Sequence, residues 1–184
     1  MSPKVRRDWT NSLYESLGNR STAAVHVASA LSNKARDLAR EDGKVVGAAA
    51  ATLTVDPEWG GDAQWEWTNG EECQKFDASC FGIAKTAEAL TRHYASIVSP
   101  DTIYISCADW SALTATSHPR SNSTHEAALL FKSSLTSFCE AHEDTLIILA
   151  WTPVDFTLER QEIARELATA ACLRNSPSGL RRAQ

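Results

Sequence analysis

The longest amphipathic pattern of the chain lies at its centre, over residues 76–94. Apolar side chains recur there at intervals of three and four residues, and polar side chains fill the positions between them. This spacing is typical of a helix with one face on a core. The apolar stripe consists of Cys80, Ile83, Ala84, Ala87, Leu90, Tyr94 and Ile97. Because strand-like runs lie on both sides, we expect this helix to be the central crossover of an α/β sheet.

Short apolar runs predict five strands. Three precede the central helix, at residues 25–30, 44–55 and 64–68, and two follow it, at 102–107 and 145–152. Strands joined by short links are antiparallel, whereas strands reached through a helix run parallel to a neighbour. The pattern therefore predicts an α/β fold with a mixed five-stranded sheet, three antiparallel strands and then two parallel ones, flanked by helices.

The second half of the chain alternates helices with strands. The run 145–150 is apolar without interruption, which is expected of a strand buried on both faces. Further helices are expected at 108–116, after a capping box formed by Ser123 and Glu126, and over 158–173. We expect Asp77 to be the N-cap of the central helix.

Length and composition predict one domain. The chain has 184 residues, and we expect an N-terminal extension at 1–21, a folded domain at 22–173 and a flexible tail at 174–184. Within the extension, the apolar residues Trp9, Leu13, Tyr14 and Leu17 have the spacing of one short helix that docks on the body. Basic residues gather near both ends, at Lys4, Arg6, Arg7, Arg174, Arg181 and Arg182.

Charge and cysteine usage exclude several classes. The formal net charge of −5 argues against a general nucleic-acid binder, because phosphate neutralisation supplies most non-specific affinity. The five cysteines form no C-x-x-C pair, which argues against a zinc site and favours reduced core thiols. No stretch approaches the length of a membrane span. We therefore expect an intracellular protein, cytoplasmic or nuclear, without membrane contact.

Four stretches resemble a known family. They are FDASCFGIAKTAEAL, IYISCADWSAL, HEAALLFKSSL and IILAWTPVDFTLERQEIARELATAA. They are similar to the reverse transcriptase-associated ribonuclease H domains at the ends of fungal non-LTR retrotransposon polyproteins, and the likeness covers residues 23–172. The resemblance implies a ribonuclease H-like fold and, for active members, metal-dependent cleavage of RNA–DNA hybrids.

The catalytic pattern of that family is empty in this chain. Its chemistry needs four carboxylates on two divalent cations about 3.5–4 Å apart. The resemblance places those carboxylates on Ala28, Ser79, Ala108 and Arg165, and it places the histidine of a nearby turn on Asp155. We therefore expect neither a metal nor another cofactor, with Mg²⁺ expected only if acids elsewhere have rebuilt the site.

Some polar residues remain near these positions. Asp109, Asp155 and Arg165 form a candidate residual polar site, in which Arg165 is expected to pair with Asp155 or Asp109 and so to link two elements. His26, Ser29 and Asp109 can be drawn as a catalytic triad, but the sequence has no glycine-framed serine of the nucleophile-elbow type.

Several functions stay open at this point. The first is a catalytically inactive, retrotransposon-derived domain that binds a protein partner or a second copy through Trp59, Trp65, Trp67 and Trp110. Equally open is that Trp65 or Trp67 packs under the terminal segment. The alternatives are residual binding of an RNA–DNA hybrid or single strand, ribonuclease activity with a rearranged metal site, and a transposon remnant without a selected role.

Overall fold

The structure, a computed structural model, describes residues 21–32, 46–71, 73–118, 126–152 and 159–174. Within them, five strands, β1 to β5, cover Thr22–Leu31, Val46–Thr54, Ala63–Glu71, Thr102–Cys107 and Leu146–Trp151. Four helices, α1 to α4, cover Lys75–His93, Trp110–Ser117, Glu126–Ala141 and Glu159–Arg174. None of these helices is long and apolar enough to cross a membrane.

The strands form one mixed sheet in the order β3-β2-β1-β4-β5. β2 pairs antiparallel with both β1 and β3, and β4 pairs parallel with both β1 and β5. Val27 of β1 stands between Ala51 of β2 and Cys107 of β4. The predicted fold class, with three antiparallel strands followed by two parallel ones, is confirmed.

Helices cover both faces of the central strands. Val25 and Val27 of β1 face the main core with Ile83 of α1, whereas Ala30 packs on the other face with Cys172 of α4. The four alanines of β2 at positions 48–51 are all fully buried, so neither face of that strand meets solvent. Alternation along a strand explains this division, because successive side chains point to opposite faces.

The central helix begins with a capping box one turn earlier than expected. Gln74 is the N-cap, and the carboxylate of Asp77 accepts a hydrogen bond from the Gln74 backbone N–H at 3.3 Å. Asp77 is therefore the third helical residue rather than the N-cap, and its negative charge still lies in the first turn, where the helix dipole favours it.

β5 is only partly buried, which corrects the expectation for residues 145–150. Leu146 is 58% exposed, and only Ala150 of this strand is buried. The reason is its place at the edge of the sheet: among the described residues, β5 pairs with β4 alone. An uninterrupted apolar run does not distinguish a central strand from such an edge strand.

Several expectations fall outside the described residues. These are the short helix with Trp9, the cap at Ser123, the position of Asp155 and the tail beyond Arg174. The domain boundaries at 21–22 and 173–174 therefore stay predictions.

A buried histidine lies in β1. His26 is 4% exposed, and its Nδ1 lies 2.7 Å from the Ser106 hydroxyl of β4. That hydroxyl donates its proton to the Val25 carbonyl at 3.1 Å, so Nδ1 is the donor to Ser106. Burial, reinforced by the positive charge of Arg160, lowers the pKa of His26 to about 4.

A close approach in the core predicts the cost of one added methyl group. A Cβ on Gly82 of α1 would lie 2.6 Å from the Ala49 Cβ and 3.2 Å from Val27 Cγ1. We expect Gly82→Ala to lower the free energy of unfolding by about 1–2 kcal/mol, because overpacking outweighs the better helix propensity. Denaturant unfolding measures this. Ala49→Gly removes the obstructing atom, so the loss should shrink in that background; a stabilising Gly82→Ala would contradict the packing.

His26 predicts a pH dependence of stability. Its folded pKa lies below the unfolded value near 6.5, so the unfolded chain binds the extra proton first. The contribution of the neutral His26 ring to the free energy of unfolding is fully present above about pH 6.5. It is lost as the pH falls towards 4, and the loss reaches up to about 3 kcal/mol. His26→Gln should flatten the pH dependence of the unfolding free energy over this window relative to the wild-type chain. An unchanged slope in His26→Gln would contradict the prediction.

Candidate functional site

A cavity of about 360 Å³ lies near the carboxyl ends of β1 and β4, beside the first turns of α1, α2 and α4. Its lining includes all four positions that the resemblance assigns to metal-binding carboxylates, namely Ala28, Ser79, Ala108 and Arg165. The parallel register explains the first and third of these, because Val27 pairs with Cys107 and the next residues follow side by side. We call this cavity the carboxyl-end cleft.

A chain of neutral hydroxyl groups lies in the carboxyl-end cleft. The Ser79 hydroxyl donates to the Lys75 carbonyl of its own helix at 2.9 Å. Its proton is then used, so the Ser29 hydroxyl, 2.7 Å away, donates to the Ser79 oxygen. Each hydroxyl proton therefore has a partner within the protein, and the pair carries no charge.

Arg165 pairs with Glu162, three residues earlier on the same helix. This corrects the expectation of an ion pair with Asp109, and Asp155 lies outside the described residues. Side chains three apart on a helix are neighbours, so Glu162 competes well for the guanidinium. The pair lies within one helix and does not link two elements.

Asp109 lines the carboxyl-end cleft but has a structural task. Its carboxylate accepts a hydrogen bond from the Ala112 N–H at 3.1 Å, which makes it the N-cap of α2. The triad drawn with His26 and Ser29 does not form. The His26 ring bonds Ser106, and the Ser29 hydroxyl bonds Ser79 instead.

These groups do not fit a divalent metal ion. Mg²⁺ prefers anionic oxygen ligands in an octahedral arrangement. The cleft offers alanine methyl groups, neutral hydroxyls, the capping carboxylate of Asp109 and the Glu162 carboxylate, which is paired with Arg165. Burial raises the pKa of Cys107 to about 11, so it is present as a thiol rather than a metal-binding thiolate. Among the described residues, no group of three or more His, Cys, Asp or Glu side chains could hold a metal ion.

The sequence did not indicate several other residues that line this cleft. They include Lys75, Cys107, Gln161 and, as a lining residue, Trp110. Lys75 could have been found from its spacing, because it lies one helical turn before Ser79. Gln161 gives no such signal, and its Oε1 is buried without a hydrogen-bond partner in the described structure.

The four tryptophans proposed as one contact surface lie at opposite edges of the sheet. Trp65 and Trp67 on β3 are half-buried and pack against the main core, and Trp59 packs there too. Trp110 is 62% exposed at the cleft and makes an edge-to-face contact with Trp151 of β5, with ring centroids 6.4 Å apart. Because β3 and β5 are the two outer strands, these groups cannot form one continuous patch.

Comparison with known proteins gives matches at the level of structure. No family model and no curated protein sequence matches the chain. Ribonuclease H1 of the halophilic archaeon Halobacterium salinarum matches with a TM-score of 0.53 and 14% identity, over 81% of this chain and 98% of that one. LC11 ribonuclease H1, isolated from compost and solved with an RNA/DNA hybrid, matches with a TM-score of 0.55 and 10% identity, over 82% and 96%.

A viral protein gives a third match. The foamy viral protease–reverse transcriptase, also in complex with an RNA/DNA hybrid, has a TM-score of 0.51 and 13% identity, over 82% of this chain and 20% of that one. Identities this low establish the architecture and leave the activity undetermined. Strand order, helix placement and these matches agree, and the chain has the ribonuclease H fold.

Proposed function

We propose that this chain is a catalytically inactive ribonuclease H-like domain that acts as a protein-interaction or self-association module. One observation carries the proposal: the carboxyl-end cleft contains a hydroxyl pair and a same-helix ion pair where the family places its carboxylates. An origin in fungal non-LTR retrotransposons is part of the proposal, and the four sequence stretches support it.

The cleft chemistry argues against two-metal catalysis. Two divalent cations clamp the attacking and leaving oxygens of a phosphodiester, and several carboxylates must balance their charge. Ala28 and Ala108 contribute no side-chain ligand atom, and the Glu162 carboxylate in the cleft is already paired with Arg165. Asp109 alone does not replace the set, because its carboxylate caps α2.

The β5 edge favours a protein partner. Leu146 at its start is 58% exposed, Trp110 beside its end is 62% exposed, and the residues between them are largely half-buried. An apolar edge strand presents unpaired backbone groups and can accept a strand from another chain. The net charge of −5 suits such a partner better than a polyanion.

RNA–DNA hybrid binding without cleavage is the second candidate. Two of the structural matches were solved with an RNA/DNA hybrid. In this chain Lys75 and Arg165 bring cations to the cleft, and the exposed Trp110 ring offers a stacking surface for a base. An affinity that falls steeply with salt would favour this candidate over a protein partner.

Restoring the carboxylates tests the inactive cleft. We expect the wild-type chain to show no rise in melting temperature with millimolar Mg²⁺ or Mn²⁺ and no cleavage of a labelled RNA–DNA hybrid. A variant with Ala28→Asp, Ser79→Glu, Ala108→Asp and Arg165→Asp should gain a metal-dependent rise, because a ligand bound only by the native state stabilises it.

The matched control places the corresponding amides, Asn or Gln, at the same four positions and should gain no metal response. Cleavage by the wild-type chain, with a metal-dependent shift, would mean that other acids have rebuilt the site and that the domain is an active ribonuclease.

A charge on the β5 edge tests self-association. If β5 pairs with a second copy, Leu146→Lys should shift the sedimentation profile from dimer to monomer at micromolar concentration, because a lysine on an edge strand opposes pairing. Leu129→Lys on α3 is the control, since Leu129 is similarly exposed, at 54%, but lies away from β5. If the wild-type chain is monomeric in this experiment, self-association is excluded, and the proposed partner must be a different protein.

A further inference from the structure

A second cavity, of about 620 Å³, lies at the opposite end of the sheet from the carboxyl-end cleft. It is formed by the turns that precede β4 and β5, which begin side by side because the two strands are parallel. We call it the amino-end groove and define it by Trp59, Tyr94, Asp101, His142, Glu143 and Asp144.

The amino-end groove combines acidic and aromatic side chains. Asp101, Glu143 and Asp144 are exposed carboxylates, and the described residues that line the groove include neither lysine nor arginine. The half-buried Trp59 supplies aromatic surface beside them. Carboxylates together with aromatic rings favour a cationic group that brings an apolar stem, such as arginine or lysine.

Hydrogen bonds hold the rim of the groove in place. The Thr145 hydroxyl donates to the Pro100 carbonyl at 3.0 Å, so Ser99, 2.7 Å from Thr145 Oγ1, is the donor in that pair. Ser99 then has no proton left for His142, and the His142 Nδ1–H donates to Ser99 at 3.0 Å. The two turns are thereby joined, and the carboxylates project from a fixed base.

Two buried polar groups beside the groove lack partners. Tyr94 is 1% exposed, and its hydroxyl has no hydrogen-bond partner in the described structure. The Trp59 indole N–H is also buried without one. Burial raises the pKa of Tyr94 to about 12, so its hydroxyl keeps the proton. Buried polar groups are nearly always paired, so these two unpaired groups set this part of the structure apart.

The chain itself supplies a segment of matching charge. Residues 1–20 contain four basic side chains, Lys4, Arg6, Arg7 and Arg20, against two acidic ones, Asp8 and Glu15. This segment joins the body at Ser21, whose carbonyl accepts the Thr102 N–H at 3.1 Å. The preceding residue, Asp101, lines the groove. The point at which residues 1–20 join the described structure therefore lies beside the acidic groove.

We propose that the amino-end groove is an intramolecular docking site for the basic side chains of residues 1–20. The reach is sufficient, because the chain from Ser21 back to Arg7 spans up to about 45 Å when extended and about 20 Å as a helix. A tethered ligand has a high effective concentration, so individually weak ion pairs suffice. This site is separate from the carboxyl-end cleft and does not depend on the function proposed there.

Charge reversal in the full-length chain tests the docking. Arg6→Glu with Arg7→Glu should lower the melting temperature by about 1–4 °C, and Glu143→Lys with Asp144→Lys should do the same. The combined four-substitution chain should recover most of the loss, because the pairs form again with inverted sign. Glu166→Lys, on exposed surface of α4, is the matched control and should restore nothing to the arginine variant.

Cross-linking identifies the source of the cation. A zero-length carbodiimide is applied to a mixture of isotopically labelled and unlabelled full-length chains. It should join Lys4 to Glu143 or Asp144 of the same chain, so both linked peptides should be labelled or both unlabelled. Links of mixed isotopic form would mean that a second copy occupies the groove, which overturns the intramolecular proposal. Absence of these links together with no recovery in the four-substitution chain would also overturn it, and would assign the groove to a cationic group from another molecule.

Discussion

The rest of the structure depends on how closely helices can approach the two faces of β1 and β2. Small side chains set that distance: β2 is buried on both sides by alanines, and Gly82 brings α1 against Ala49 and Val27. Interiors are packed at crystal-like density, so a single extra carbon at this layer must displace something. The spacing in turn fixes where Ser79 and the first turns of α4 meet the end of β1. The carboxyl-end cleft is therefore a consequence of the small residues beneath it.

The polar groups of the carboxyl-end cleft pair with one another, whereas the acids of a carboxylate cluster have no such partners. Four acids without a metal repel one another, and burial raises their pKa values, so such a site is a source of instability when empty. Here the same positions hold two methyl groups, the Ser79 hydroxyl, whose proton is used internally, and a cation beside the Glu162 carboxylate. These contacts balance charge and hydrogen bonds within the described part of the cleft. Such an arrangement would suit the binding domain proposed above.

Sequence periodicity predicted the helices and strands better than it predicted their burial and their side-chain partners. The central helix and the strand at 102–107 follow directly from apolar spacing, and the connection rules gave the mixed sheet. The exposure of Leu146 could not be predicted, because an apolar run does not encode whether its strand lies at an edge. Arg165 and Trp110 show the same limit at the site: periodicity does not reveal that Glu162 captures the guanidinium, or that Trp110 lies across the sheet from Trp65.

The pairing of β1 with β4 also shapes how the molecule is assembled. His26 and Ser106 meet across 80 residues of chain, whereas β1, β2 and β3 form a local meander. Contacts between distant residues form late, since a long loop must close first. During synthesis β1 would therefore present an open edge of unpaired backbone groups, flanked by apolar side chains, until β4 emerges and pairs with it. The central strand of the finished sheet is, for that interval, its most aggregation-prone segment and the natural point of engagement for a chaperone.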